Sequence, residues 1–234
     1  MRKIMVDQTV FAKFPGFKRG LIIVASIDNK PENAAISALL GAEIKKRTGE
    51  TLLEHEYIRA WDEVHRQFGS NPNKFPPSIK SLLKRISKGG ELPFINCAVA
   101  LFNFISIKYL LPCGGDNADR VSGNLRLGLA QGDELFIGLG SQEQEHPAAG
   151  EVVYFDDGLK NVMCRRWNWR NGDFSKITPA TKKLVINIDG IGPVPESEVL
   201  AARDELAELL IKHCGAEVNK DMLDYNHQEI EIKI

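Results

Sequence analysis

Residues Ile95 to Asp116 read INCAVALFNFISIKYLLPCGGD, and the class of fold turns on this stretch. From Ile95 to Tyr109 apolar residues occupy nearly every face of a helix and leave no polar stripe for solvent, so the spacing predicts a helix buried in the molecule. Pro112 to Asn117, with its Gly114-Gly115 pair, reads as a turn that ends this helix. Past that point the apolar period drops to two. Leu125–Leu129, Glu134–Leu139, Glu151–Phe155, Val162–Trp169 and Lys183–Ile188 are expected as strands, most of them separated by Gly, Asp or Pro turns.

Toward the N-terminus, Ile4–Val10 and Gly20–Ile27 read as strands. Asn33 opens a helix running to Lys46 on Ala35, Leu39 and Ala42, with Ile36, Leu40 and Ile44 beside them, and Gly49 closes it. A second helix covers Glu54–Phe68. Asn71-Pro72-Asn73 and Pro76-Pro77 interrupt the chain before a basic amphipathic helix, Ser78–Ser87. Ser197–His213 is a further amphipathic helix, and Glu229–Ile234 reads as a last strand. Helices and strands are segregated, which is the α+β class. We read residues 1–234 as one domain, with an N-terminal α/β portion (1–75), a core (76–190) and a C-terminal helix and tail (191–234).

At 234 residues and 43% apolar the chain can bury one sizeable core. Its 30 basic and 31 acidic residues nearly cancel, which argues against coating nucleic acid non-specifically, so DNA is not expected as a partner and any RNA contact must be a local basic patch. Cys97, Cys113, Cys164 and Cys214 are widely spaced, with no CxxC pair and no histidine at ligand spacing, so no metal and no cofactor are expected. The apolar run Leu21–Ala25 is too short for a membrane span, and a cytoplasmic protein with reduced thiols is the expectation.

Two stretches resemble a known family. Pro93-Phe94-Ile95-Asn96 through Asn103 to Pro112-Cys113-Gly114-Gly115-Asp116 is the first, and Cys164-Arg165-Arg166-Trp167-Asn168-Trp169-Arg170 to Thr181-Lys182 is the second. Over roughly Pro76 to Gly190 the chain is similar to the B3/B4 editing domain of the bacterial phenylalanyl-tRNA synthetase beta chain. It is more similar still to stand-alone proteins built from that domain. The resemblance implies a mixed sheet with flanking helices and hydrolysis of the ester that joins a wrong amino acid to the terminal ribose of a tRNA. In the synthetase the residue removed is tyrosine-like and the tRNA is that for phenylalanine; free-standing relatives clear other mischarged tRNAs, including tRNA for arginine carrying canavanine. The synthetase domain has a histidine shortly after the helix, whereas this chain has Leu111-Pro112-Cys113-Gly114-Gly115. Asn103 matches the asparagine of the synthetase helix, Asp116 falls near its following aspartate, and Asp173 near the acidic residue that closes the motif.

An aminoacyl ester is already activated, so its hydrolysis needs an oriented water and donors aimed at the developing oxyanion. Gly114 and Gly115 offer close backbone approach and exposed N–H groups, or form an ordinary turn. Asp116 and Asp173 can position water or grip an ammonium group, or cap turns. Asn103, inside an apolar helix, must find partners and can bind substrate or tie down the following loop. On a strand, Arg165, Trp167 and Trp169 share one face, which packs into the core, while Arg166, Asn168 and Arg170 line a polar pocket or meet phosphates. A terminal adenine could stack on Trp167 or Trp169, against the alternative of core tryptophan. Lys80, Lys84, Arg85 and Lys88 recur at helical spacing and suit an RNA backbone or a solvated face; Lys13, Lys18 and Arg19 form a weaker patch. The expected activity is a trans-acting aminoacyl-tRNA deacylase with mischarged tRNA as partner. The alternatives are a non-catalytic tRNA or amino-acid binding module and a hydrolase of small amino-acid esters.

Overall fold

The computed structural model describes residues 2–233. In chain order the elements are β1 (Lys3–Val6), α1 (Gln8–Lys13), β2 (Lys18–Ser26), α2 (Ala34–Arg47), α3 (Glu56–Gln67), α4 (Ser78–Ser87), α5 (Cys97–Tyr109), β3 (Cys113–Asn117) and β4 (Leu125–Leu129). There follow β5 (Phe136–Ile137), β6 (Gln144–Glu145), β7 (Val152–Asp156), β8 (Asn161–Arg165), β9 (Arg170–Asn171), β10 (Leu184–Gly190), α6 (Glu196–Cys214), β11 (Glu217–Leu223) and β12 (Glu229–Glu231). Local chemistry sets the helix starts: Asn33 Oδ1 accepts from Ile36 N at 3.1 Å, and Asn96 Oδ1 accepts from Val99 N at 3.0 Å.

The strands form two large sheets and a small hairpin. One sheet has the order β12-β1-β4-β7-β8-β9, the second β11-β2-β10-β3, and β5 pairs with β6. The second sheet is antiparallel throughout, while β1 and β4 make a parallel pair in the first. Alternation on the central strands builds a core on each side of the second sheet. Ile22, Val24, Leu184, Ile186 and Ile188 face α2, α4, α5 and α6. Leu21, Ile23 and Val185 face the first sheet, meeting Leu125, Leu127, Val152 and Met163. The layers are therefore helices, sheet, sheet. β2 lies between β11 and β10, so the N-terminal portion is an integral part of the sandwich.

Between the sheets lies a buried ion pair. Arg19 and Asp189 are register partners on β2 and β10, and the guanidinium meets the carboxylate in a fork, Nε to Oδ1 at 2.7 Å and Nη2 to Oδ2 at 2.8 Å. Trp167, from the turn after β8 in the other sheet, donates its indole N–H to Asp189 Oδ2 at 3.0 Å. Its ring is met edge-on by Phe14, Phe17 and Trp61 at 5.1, 4.9 and 5.3 Å, the geometry an aromatic quadrupole favours.

Several elements depart from the sequence expectations. The first strand stops at Val6 and the chain turns into α1, which buries Val10 and Phe11. Pro112–Asn117 is not a turn but leads into β3, an edge strand of the second sheet. The helix is ended instead by Leu110 in the left-handed region, φ 58°. The expected strand Val162–Trp169 breaks at Arg165, because Arg166 and Trp167 adopt φ 47° and 67°. These conformations cost of order 1–3 kcal/mol each. Bonds from Trp167 N to Val152 O at 2.7 Å and from Arg166 N to Glu151 Oε1 at 3.1 Å offset that cost. Strand pairing shrinks Glu134–Leu139 to the short β5, and the polar β11, expected as tail, is an edge strand. Of the expected last strand, Glu229–Glu231 is present and Ile234 lies outside the described residues.

Replacing Arg19 alone by Met leaves Asp189 without its ion-pair partner between the sheets. The expected destabilisation is about 3–5 kcal/mol, read from urea unfolding midpoints. A loss below about 1 kcal/mol would show that the pair is dispensable to the fold.

Candidate active site

β3 pairs with β10 on one side only, and its other edge is free. The ladder fixes which backbone groups point where. Ala118 N donates to Lys183 O and Asp189 N to Pro112 O, each at 3.0 Å, so even-numbered residues of this segment turn N–H and C=O toward β10 and odd-numbered ones turn them outward. Among the outward groups, Cys113 N donates to Ser106 Oγ at 3.1 Å and Asn117 N to Ser175 O at 2.9 Å. The Gly115 N–H between them is left without a protein partner.

This edge borders a hollow in two parts. The inner part, about 80 Å³, lies between the sheets and is lined by Arg19, Tyr154, Trp167, Asn168, Asn187 and Asp189 among others. The outer part, about 310 Å³, lies toward α5 and the segment after β9, where Phe102, Asn103, Leu139, Gly172, Ser175 and Lys176 line it. Cys113, Gly114, Gly115, Asp116 and Asn171 line both. The glycines have different reasons. A Cβ on Gly115 would sit 3.0 Å from Phe102 Cζ and from Val185 O, so α5 packs against the strand only where no side chain intervenes. A Cβ on Gly114 would meet nothing within 4 Å, which is the open side of the strand.

Asp116 is buried on the inter-sheet face of β3, opposite Val185. Ser175 Oγ donates to its Oδ1 at 2.5 Å, leaving Oδ2 without a hydrogen bond to the protein. Burial pushes its pKa up to about 6, and the Ser175 bond and the Arg19 charge only partly oppose this. Burial likewise raises the Tyr154 hydroxyl well above the ordinary phenol range. The Cys113 and Cys164 thiols, pushed up by burial, stay protonated and are poor nucleophiles. Among the described residues no histidine lines the hollow. His65 stands behind it, its Nε2 3.1 Å from Asn168 Oδ1, and burial lowers its pKa to about 4, so the ring is neutral.

The structure gathers Asn103, Gly114, Gly115, Asp116, Trp167 and Asn168 around one hollow. It places the other expected site residues elsewhere. Asp173 receives Lys176 Nζ at 2.9 Å and Gly140 N at 3.1 Å, and lines a separate surface hollow with Arg120 and Phe174. Arg165 is locked by Glu151, at 3.0 and 2.8 Å, and by Glu145 at 2.7 Å. Arg166 stacks on Phe75, 3.9 Å from the ring centroid. Trp169 packs on Phe75. Lys80 is buried with its ammonium on Asp62 at 2.5 Å, whereas Lys84, Arg85 and Lys88 remain accessible along α4. Arg19, expected in a weak basic patch, is instead buried on Asp189, and Tyr154, Ser175, Asn187 and Asp189 line the hollow without a sequence expectation. Asn187 and Asp189 continue the inward face of an apolar strand, and such polar interruptions are the signal that could have found them.

A family model for the B3/4 domain matches residues 60–215, more than half of the chain, and the chain belongs to the B3/4 domain family. Among solved structures, an N-terminal fragment of the phenylalanyl-tRNA synthetase beta-subunit from Pyrococcus horikoshii aligns with a TM-score of 0.47 and 11% identity, over 94% of this chain and 53% of that one. The chain thus spans about half the length of that fragment. No curated protein matches it. Among the described residues no helix is long and apolar enough to cross a membrane.

Because the Asp116 carboxyl holds its proton to about pH 6 in the fold, against 3.8 ordinarily, the native state binds more protons than the unfolded chain between those values. Its contribution to stability is complete below about pH 4 and is lost as the pH rises through about 6. Asp116→Asn is expected to remove that slope in thermal melts across the interval; an unchanged slope would assign it to other groups.

Proposed function

We propose that this protein hydrolyses the ester of mischarged tRNA, with Asp116 directing the water and the Gly115 N–H receiving the oxyanion. The observation that carries the reading is their adjacency on β3: a carboxyl whose pKa burial raises to about 6 stands one residue from an unpaired backbone donor, both on a hollow open to the outside. The unbonded Asp116 oxygen takes a proton from water as the water oxygen bonds to the ester carbon. The carbonyl oxygen becomes an oxyanion facing Gly115 N. As the ester C–O bond breaks, Asp116 returns the proton to the departing ribose oxygen, leaving the free amino acid and the tRNA. An aminoacyl ester needs no stronger nucleophile than this.

Asn103 and Lys176, at the outer part, suit the ribose and the terminal phosphate, and Asp173 acts by holding Lys176. Ser78 starts α4 at the inner part, so Lys84, Arg85 and Lys88 lie about 9–15 Å along that helix axis, a course an acceptor stem can follow. Membership of the B3/4 family supports the same reading, since the resembling synthetase domain edits tRNA.

Incubating the protein with tRNAs carrying correct and incorrect amino acids, with tyrosine on tRNA for phenylalanine and canavanine on tRNA for arginine included, tests this. At least one ester is expected to be lost faster than in buffer, with a rate that rises through about pH 6 as Asp116 ionises. Asp116→Asn should lower the rate by about 10²-fold or more. If no charged tRNA is cleared above background, the reading fails.

A joint Lys84, Arg85 and Lys88 to Ala variant should bind tRNA more weakly and with a shallower salt dependence. An unchanged salt slope in filter binding would remove α4 from the RNA path.

A further inference from the structure

The inner part of the hollow holds more polar chemistry than hydrolysis uses. Arg19 Nη1, Asn187 Oδ1 and Asn168 Nδ2 are buried and make no hydrogen bond, and Tyr154 Oη, with the Asn187 side chain beside it, makes none of acceptable geometry. Every one belongs to a residue lining the inner part. Buried polar atoms ordinarily find partners, and leaving one unmade costs about 1–3 kcal/mol. Arg19 and Tyr154 are donors, and each asparagine presents a donor or an acceptor depending on which way its amide is turned. The lining thus offers both polarities. The Arg19 guanidinium is forked onto Asp189, so among the described residues Asp116 is the one unpaired charge on the lining when it is ionised.

Size limits what can enter. At about 80 Å³ the inner part is roughly half of the about 150 Å³ in which an apolar cavity holds a benzene ring. An aromatic side chain does not fit. The long arginine and lysine side chains exceed it as well, and a purely aliphatic one would leave buried polar atoms unpartnered.

Resting on the proposed editing of aminoacyl esters, we propose that the inner part is the side-chain pocket and that it selects short, uncharged side chains bearing a hydroxyl or a carboxamide, with Tyr154 and Asn187 as the specificity-determining residues. A site built to hydrogen-bond a polar group rejects the analogue lacking it, because the site's own groups are then buried unpaired. The amino-acid backbone and ribose remain in the outer part, beside Gly115 and Asn103.

The test uses adenosine carrying serine, threonine, asparagine, valine, tyrosine or arginine through an amide at the 3′ position, which cannot be hydrolysed as the ester is. Titration calorimetry is expected to show the seryl, threonyl or asparaginyl compound binding at least about tenfold more tightly than the valyl, tyrosyl and arginyl ones. In Tyr154→Phe, which keeps the ring, the ratio of polar to valyl affinity should fall severalfold, and in Asn187→Leu, checked for a native melt, it should fall again. Equal or tighter binding of the tyrosyl or arginyl compound overturns the assignment, as does a ratio unchanged in both variants or no binding by any compound. The expected pattern of binding, with no hydrolysis of the matching charged tRNAs, would overturn the proposed catalysis while upholding the pocket.

Discussion

The buried fork between Arg19 and Asp189 is the constraint around which the two sheets are arranged. Both residues lie on the second sheet, yet the indole of Trp167 from the first sheet binds the same carboxylate. A charge pair removed from water is tolerated only when further bonds satisfy it, and here the neighbouring sheet supplies one. That requirement explains the left-handed backbone at Arg166 and Trp167. The chain leaves the plane of its own sheet in order to deliver the indole inward. The Arg19 guanidinium also lies over the Tyr154 ring, 5.0 Å from its centroid, so the first sheet meets the pair at two points. The space that these contacts hold open, with packed aromatics on one side and the β3 edge on the other, is the inner hollow.

The periodicity of the chain made the class of fold legible, together with the position of the helix that backs the site. α5 reads as buried because Ala98, Leu101, Phe102 and Ile105 leave no solvent face, and it is buried. β2 and β10 read as strands because β-branched residues crowd them. The failures share one physical origin. Gly114-Gly115 has local turn character, but strand pairing to β10 and the pressure of Phe102 on Gly115 make it extended; neither partner is near in sequence. The Arg165–Trp169 alternation has strand character, yet the pull of Asp189 on Trp167 breaks it.

The site was legible to the same degree. Asn103, Gly114, Gly115, Asp116, Trp167 and Asn168 come together, since they come from the two stretches that carry the family pattern. Asp173 and Arg165 belong to the same stretches, but Lys176 and the Glu145–Glu151 pair engage them where the hollow does not reach. Arg19 lies far from those stretches in sequence, and Tyr154 and Asn187 lie just outside the second one, on β7 and β10. Only the register of the second sheet and the closeness of the two sheets bring them to Asp116. Each is a polar group in a run of apolar neighbours, and a single chain shows that such a group needs a partner without showing which.

The free edge of β3 bears on how the molecule treats other protein chains. A bare strand edge is a template for intermolecular β-pairing, and proteins commonly blunt it with charge, proline or a covering segment. β11, the opposite edge of the same sheet, carries Glu217, Lys220 and Asp221. β3 carries no such row of charges. Ser106 instead occupies the outward donor on one side of Gly115, and the carbonyl of Ser175 occupies the one on the other. A polypeptide needs a succession of donors and acceptors to add as a strand, and here the outward donors are cut to the Gly115 N–H. With two of its three outward donors already engaged, the edge is a poorer template for a neighbouring strand than a fully bare one.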